Sequence, residues 1–139
     1  MTTPPHRDRP LGETSGSAQR PSRRLAAASL DFDLETELTS LKQEASWERG
    51  DRNARTLVEE PSFRVTLTVL KAGTRIREHR TDGWVSIHTT RGHLRVHVPG
   101  RDVDLPAGRL LVLDRGVQHD VEAVDEESAF LLTVGTPTS

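Results

Sequence analysis

From residue 63 onward, apolar and polar positions alternate with a period of two. Phe63, Val65, Leu67 and Val69 interleave with Arg64, Thr66 and Thr68, the pattern of a strand with one apolar face. Val85 and Ile87, then Leu94, Val96 and Val98, continue it on either side of Arg91-Gly92. In Val98-Pro99-Gly100-Arg101, Pro and Gly occupy the two central positions of a type II turn, which predicts an antiparallel hairpin. Val103–Leu105, Leu110–Leu113, Val117–Ala123 and Ala129–Val134 supply the remaining apolar runs, with Pro106-Ala107-Gly108 and Asp114-Arg115-Gly116 as turns between them. The reading is about eight short strands. Such a set avoids open edges by closing into a barrel or a double-sheet jelly roll, so the predicted fold class is mainly β.

Upstream the period changes. Leu34, Leu38, Leu41 and Ala45 recur at helical spacing, Asp31 or Asp33 is placed to cap the segment, and Gly50 is placed to stop it. One amphipathic helix over roughly 33–48 is predicted to cover a face or an end of the barrel. The first 28 residues hold four of the eight prolines and five arginines with no apolar periodicity, the composition of a disordered tail. The expected organisation is a tail over 1–28, a helical lead-in over 29–55 and a barrel over 56–135.

Charge narrows the function classes. The tail carries +3 and the remainder −5, for a total of −2. A mildly acidic body argues against a dedicated nucleic-acid surface, which needs clustered positive charge. No run is long enough to span a membrane and none forms the apolar core of a secretion signal, so a cytoplasmic location is the expectation. The absence of cysteine excludes disulfides, thiolate catalysis and Cys-ligated metal. The absence of tyrosine excludes a tyrosyl acid, and neither a Gly-x-Ser-x-Gly nor a Walker pattern occurs.

Two spaced segments carry a family resemblance. Gly73-Thr-Arg-Ile-Arg-Glu-His79 resembles the opening of the first cupin motif, in which a glycine precedes the first metal histidine by six positions, and Arg91-Gly92 resembles its close. Gly108-Arg-Leu-Leu-Val-Leu-Asp114-Arg-Gly116-Val-Gln-His119 resembles the second motif. The resemblance spans about residues 57–134 and is similar to small stand-alone bacterial cupins. It implies a single cupin, or jelly-roll, barrel and favours a homodimer. The family pattern also implies His-x-His and a glutamate in the first motif; here Thr81 holds the second-histidine position and Val85 the glutamate position, so the metal motif is degenerate.

A metal centre can be rebuilt on paper from His79, His88 and His119, or from His79 and His119 completed by water, Glu78 or Glu122. Strand alternation gives His88 the parity of Ser86 and Thr90, and only a bulge near Gly83 or a one-residue slip would turn it inward. The alternative is that His79 and His119 point into the barrel as neutral, hydrogen-bonded groups that contact a ligand. Arg64, Arg75 and Arg77 can clamp a carboxylate or phosphate if they face inward. Trp84 would line a pocket mouth or a dimer contact. His93 and His97 read as solvent-facing hairpin residues. Three function classes follow: a small-molecule-binding cupin with His79, His88, His119, Arg64 and Trp84 at the ligand; a metal-dependent oxygenase or isomerase with one divalent transition metal, acting on a small polar substrate; and a structural domain that forms a homodimer.

Overall fold

The computed structural model describes residues 27–77 and 81–137. Within the described residues, two helices, α1 (Leu34–Leu41) and α2 (Ala45–Arg49), precede nine strands. These are β1 (Arg52–Glu60), β2 (Phe63–Leu70), β3 (Arg75–Ile76), β4 (Trp84–Arg91), β5 (His93–Val98), β6 (Arg101–Pro106), β7 (Leu110–Leu113), β8 (Asp120–Ala123) and β9 (Ser128–Gly135). The larger sheet has the order β1-β2-β9-β4-β7 and the smaller one the order β3-β8-β5-β6, with every paired strand antiparallel. The chain is thus a double-sheet jelly roll with a helical layer on one face, as the alternation predicts.

Between the sheets lies one apolar core, which includes Leu70, Val85, Ile87, Leu94, Val96 and Phe130. A second apolar cluster lies outside the larger sheet, where Leu38, Leu41 and Trp47 of the helices cover Leu67, Val69 and Ala129. Both faces of β2 are therefore withdrawn from water.

The single helix expected over 33–48 is broken in two. Asp33 caps α1, its Oδ1 accepting from the Glu35 and Thr36 amides at 3.1 and 3.3 Å. The chain leaves the helix after Lys42, and Glu44 takes up an extended conformation before α2 begins. Buried Asn53 braces the break: its Nδ2 donates to Glu44 Oε1 at 2.9 Å and to the Leu41 carbonyl at 3.0 Å, a helix-end carbonyl that also accepts from the Glu44 amide at 3.3 Å. Arg55, on the same face of β1, donates to Glu37, Ser40 and Glu44 at 2.8–3.0 Å. Burial opposes the charge of Arg55, but the two carboxylates outweigh it and raise its pKa.

Strand β1 was not visible in the alternation. Its outward Asn53 and Arg55 are polar because they bond to the helices, and a bulge between Thr56 and Val58 shifts the parity halfway along. The Pro99-Gly100 turn does join β5 and β6, with Gly100 at φ 85°. Gly92 has a stricter role at φ 77°, where a Cβ would lie 2.4 Å from both the Glu127 carbonyl and Ser128 Oγ. Gly92→Ala is accordingly expected to cost roughly 2–4 kcal/mol of unfolding free energy in urea titration; an unchanged midpoint would refute this reading of the turn.

Candidate functional site

Strand β2 sorts its side chains strictly. Val65, Leu67 and Val69 pack against the helical cluster, while Thr66, Thr68 and Leu70 face the barrel interior. Arg64 has the interior parity, so it heads a polar stripe on that wall. Its Nε is buried, as is Thr68 Oγ1, and among the described residues neither has a hydrogen-bond partner. Thr66 lies beside Thr56 of β1, their hydroxyls 3.5 Å apart, and Glu59 stands opposite Arg64.

The register places Arg64 at one end of the barrel. Arg64 is opposite Val134, Val134 is opposite Val85, and Val85 is opposite Leu113. Leu113 leads directly into the Asp114–Gly116 turn and from there to His119. Two bonds tie this connection to the segment before β4: the Gly116 amide to the Thr81 carbonyl at 2.9 Å, and Arg115 Nε to the Asp82 carbonyl at 2.9 Å. Gly83 in the same segment permits the close approach of the β9 end, since a Cβ there would meet the Gly135 carbonyl at 2.7 Å.

His119 precedes β8 and shares the parity of Val121 and Ala123, both core residues. It is 2% exposed. Its Nδ1 lies 3.1 Å from the Val117 carbonyl, which can only accept, so Nδ1 carries the proton and Nε2 keeps a lone pair. Burial lowers the pKa of the imidazole, against smaller opposing effects of the Val117 carbonyl and Asp120. The group is therefore a neutral acceptor at the barrel end.

Other residues expected at the site lie elsewhere. His88 sits on the outer face of the larger sheet, between Leu110 and Leu131 in the register. The bulge that would have turned it inward is absent near Gly83; β4 has its irregularity between Thr89 and Arg91, after His88, so the parity set by Val85 and Ile87 carries through. A centre of His79, His88 and His119 together is not what this register builds. His79 and Glu78 lie outside the described residues. Among the described residues, no three His, Asp or Glu side chains converge as metal ligands.

Trp84 also faces outward and is 46% exposed, with the Arg115 guanidinium 5.4 Å from its ring centre, so it does not line the barrel. Thr81 spends its hydroxyl on the local turn, donating to the Gly83 carbonyl and accepting from the Gly83 amide. Arg75 pairs with Asp120 at 2.9 Å and Arg77 is exposed. His97 is not free in solvent: on the outer face of the smaller sheet it sits between Asp102 at 2.7 Å and Glu122 at 2.8 Å. Glu122 is thereby engaged outside the barrel.

Residues 67–139 match the model of the AraC-like ligand binding domain. The chain belongs to this family. No curated protein matches this chain significantly. Among solved structures, a conserved protein of unknown function from Streptococcus pyogenes is 21% identical over 87% of this chain and 99% of its own, with a TM-score of 0.64. The cupin domain of Cnp3 from Schizosaccharomyces pombe is 17% identical over 72% of each chain, with a TM-score of 0.61. A predicted oxalate decarboxylase from Thermotoga maritima is 19% identical over 63% of this chain and 83% of its own, with a TM-score of 0.59. These likenesses show the cupin fold of the AraC-like domain. No described helix is long and apolar enough to cross a membrane.

From the sequence, Arg64 and His119 are candidates, whereas Thr66 and Thr68 read as the polar side of a strand with one apolar face and Glu59 carries no signal. The available signal was that a helix covering the opposite, apolar side forces the polar side inward.

The lowered pKa of His119 has a signed consequence for stability. The unfolded chain binds its proton first, near the ordinary value of 6.5, so the contribution is complete above that pH and is lost as pH falls toward the folded value. Unfolding free energy of the wild type should fall as pH drops below the ordinary value of 6.5, and fall less for His119→Gln. An imidazole NMR midpoint for His119 at or above 6.5 would contradict the assignment.

Proposed function

We propose that this AraC-like domain is a small-molecule-binding module whose ligand is held at the barrel end that carries Arg64 and His119. The observation that carries the reading is the pair of buried, unpartnered polar atoms on the inner face of β2, Arg64 Nε and Thr68 Oγ1. A buried polar group without a partner costs about 1–3 kcal/mol, and a ligand can supply the missing bonds. The apolar wall opposite is suited to hold the body of such a molecule. The family description agrees, being that of a ligand-binding domain. A metal-dependent oxygenase or isomerase built on His79, His88 and His119 is not part of this proposal, because His88 faces away from His119.

Screening of a broad carboxylate, polyol and sugar library by thermal shift and calorimetry tests the reading. At least one compound class should bind, with affinity reduced about tenfold or more in Arg64→Gln or His119→Gln. Absence of binding across the whole library would remove its support.

A second reading concerns self-association, and a specific surface favours it. Leu110 and Val112 are 58% and 63% exposed on β7, the edge strand of the larger sheet, and Trp84 lies two strand positions from the residue opposite Val112. An apolar strip beside a sheet edge, with Arg115 over Trp84 at its end, fits a homodimer formed by two copies of this face. Light scattering at high micromolar concentration should give a dimer that Val112→Lys converts to a monomer; a monomeric wild type would rule the dimer out.

A further inference from the structure

We infer that the ligand of the barrel is a small monocarboxylate. The inference rests on the proposed ligand site and extends it to the charge and shape of the occupant. The interior is divided: β1 and β2 present Glu59, Arg64, Thr66 and Thr68, whereas Val134, Val85 and Leu113 complete the row of Arg64, and Leu132 and Ile87 that of Thr66. A molecule with one polar end and an apolar body matches such a division.

Arg64 determines the sign of the polar end. Its guanidinium is always charged, its buried Nε has no hydrogen-bond partner among the described residues, and Glu59 stands opposite on β1. A carboxylate can accept from the Arg64 fork and from the Thr68 hydroxyl, which satisfies both buried orphan donors at once. Glu59 determines how much negative charge the site tolerates. Arg64, Glu59 and His119 together sum to zero, so a monocarboxylate bound at the Arg64 fork leaves one net negative charge, while a phosphate dianion leaves two and adds repulsion from Glu59. His119 contributes selectivity, because Nε2 can only accept from a ligand hydroxyl while Nδ1 is held by Val117.

Calorimetry on the intact chain tests this with sodium alkanoates from acetate to octanoate, 3-hydroxybutanoate, butanamide, inorganic phosphate and xylose. A carboxylate should bind about 10- to 100-fold more tightly than butanamide. Arg64→Gln should abolish that difference and Arg64→Lys restore part of it. His119→Gln should reduce the preference for 3-hydroxybutanoate over butanoate. Thr68→Val should weaken carboxylate binding while holding the melting temperature at or above that of the wild type, since it deletes a buried unsatisfied hydroxyl. Binding of xylose or butanamide as tight as any carboxylate, or tighter binding of phosphate, overturns the inference while leaving the barrel a ligand site. Binding of none of these probes removes both.

Discussion

The burial of β2 on both faces is the constraint on which the rest of the structure depends. Val65, Leu67 and Val69 lie under the helices while Thr66, Thr68 and Leu70 lie inside the barrel. A slip of one residue would exchange the two sets, placing Arg64 beneath the helical layer and the valines in the barrel. Each large apolar side chain contributes about 1.5–3 kcal/mol when removed from water, so the helical layer strongly holds this register. The layer is in turn anchored by Asn53 and Arg55 of β1 and by Lys71, which donates to the Trp47 carbonyl at 2.8 Å and lies over its ring.

The chemistry of the barrel end follows from that register. With its apolar side taken by the helices, β2 has polar groups left for the interior, and the wall of β9, β4 and β7 remains apolar. His119 arrives from the other sheet, is deprived of water and is fixed in one tautomer by Val117. The result is an interior with one charged, fork-shaped donor, one neutral acceptor and a line of threonine hydroxyls, which is suited to recognition of a ligand by an AraC-like domain. The outer face of the smaller sheet is organised differently, with cross-strand polar contacts at Arg75–Asp120, His97–Glu122 and His97–Asp102. Those contacts absorb residues that a motif count alone would offer as ligands.

Much of the fold was legible because it is written in local periodicity and in two spaced motifs. Alternation located most of the strands, Pro99-Gly100 marked the hairpin, and Asp33 was one of two caps the pattern allowed. The helix break and β1 were not legible. Both depend on Asn53 and Arg55 reaching residues 9–18 positions away in the chain, bonds that leave no periodic trace. Of the site, Arg64 and His119 were readable as candidates, but the inward direction of Arg64 and the outward direction of His88 and Trp84 were not.

The reason lies in what a strand encodes. Period two in a single sequence determines which residues share a face, and it placed His88 with Ser86 and Thr90 and Arg64 with Thr66 and Thr68. It does not determine which face meets the core, because a strand covered on both sides has no solvent side to oppose. That choice belongs to the tertiary structure, where the helices claim the apolar face of β2 and β4 keeps its parity until past His88. The sequence by itself thus determined a cupin barrel and a set of candidate side chains; only the packing of helices on sheet decided that Arg64 and the threonines, rather than a third histidine, face the interior.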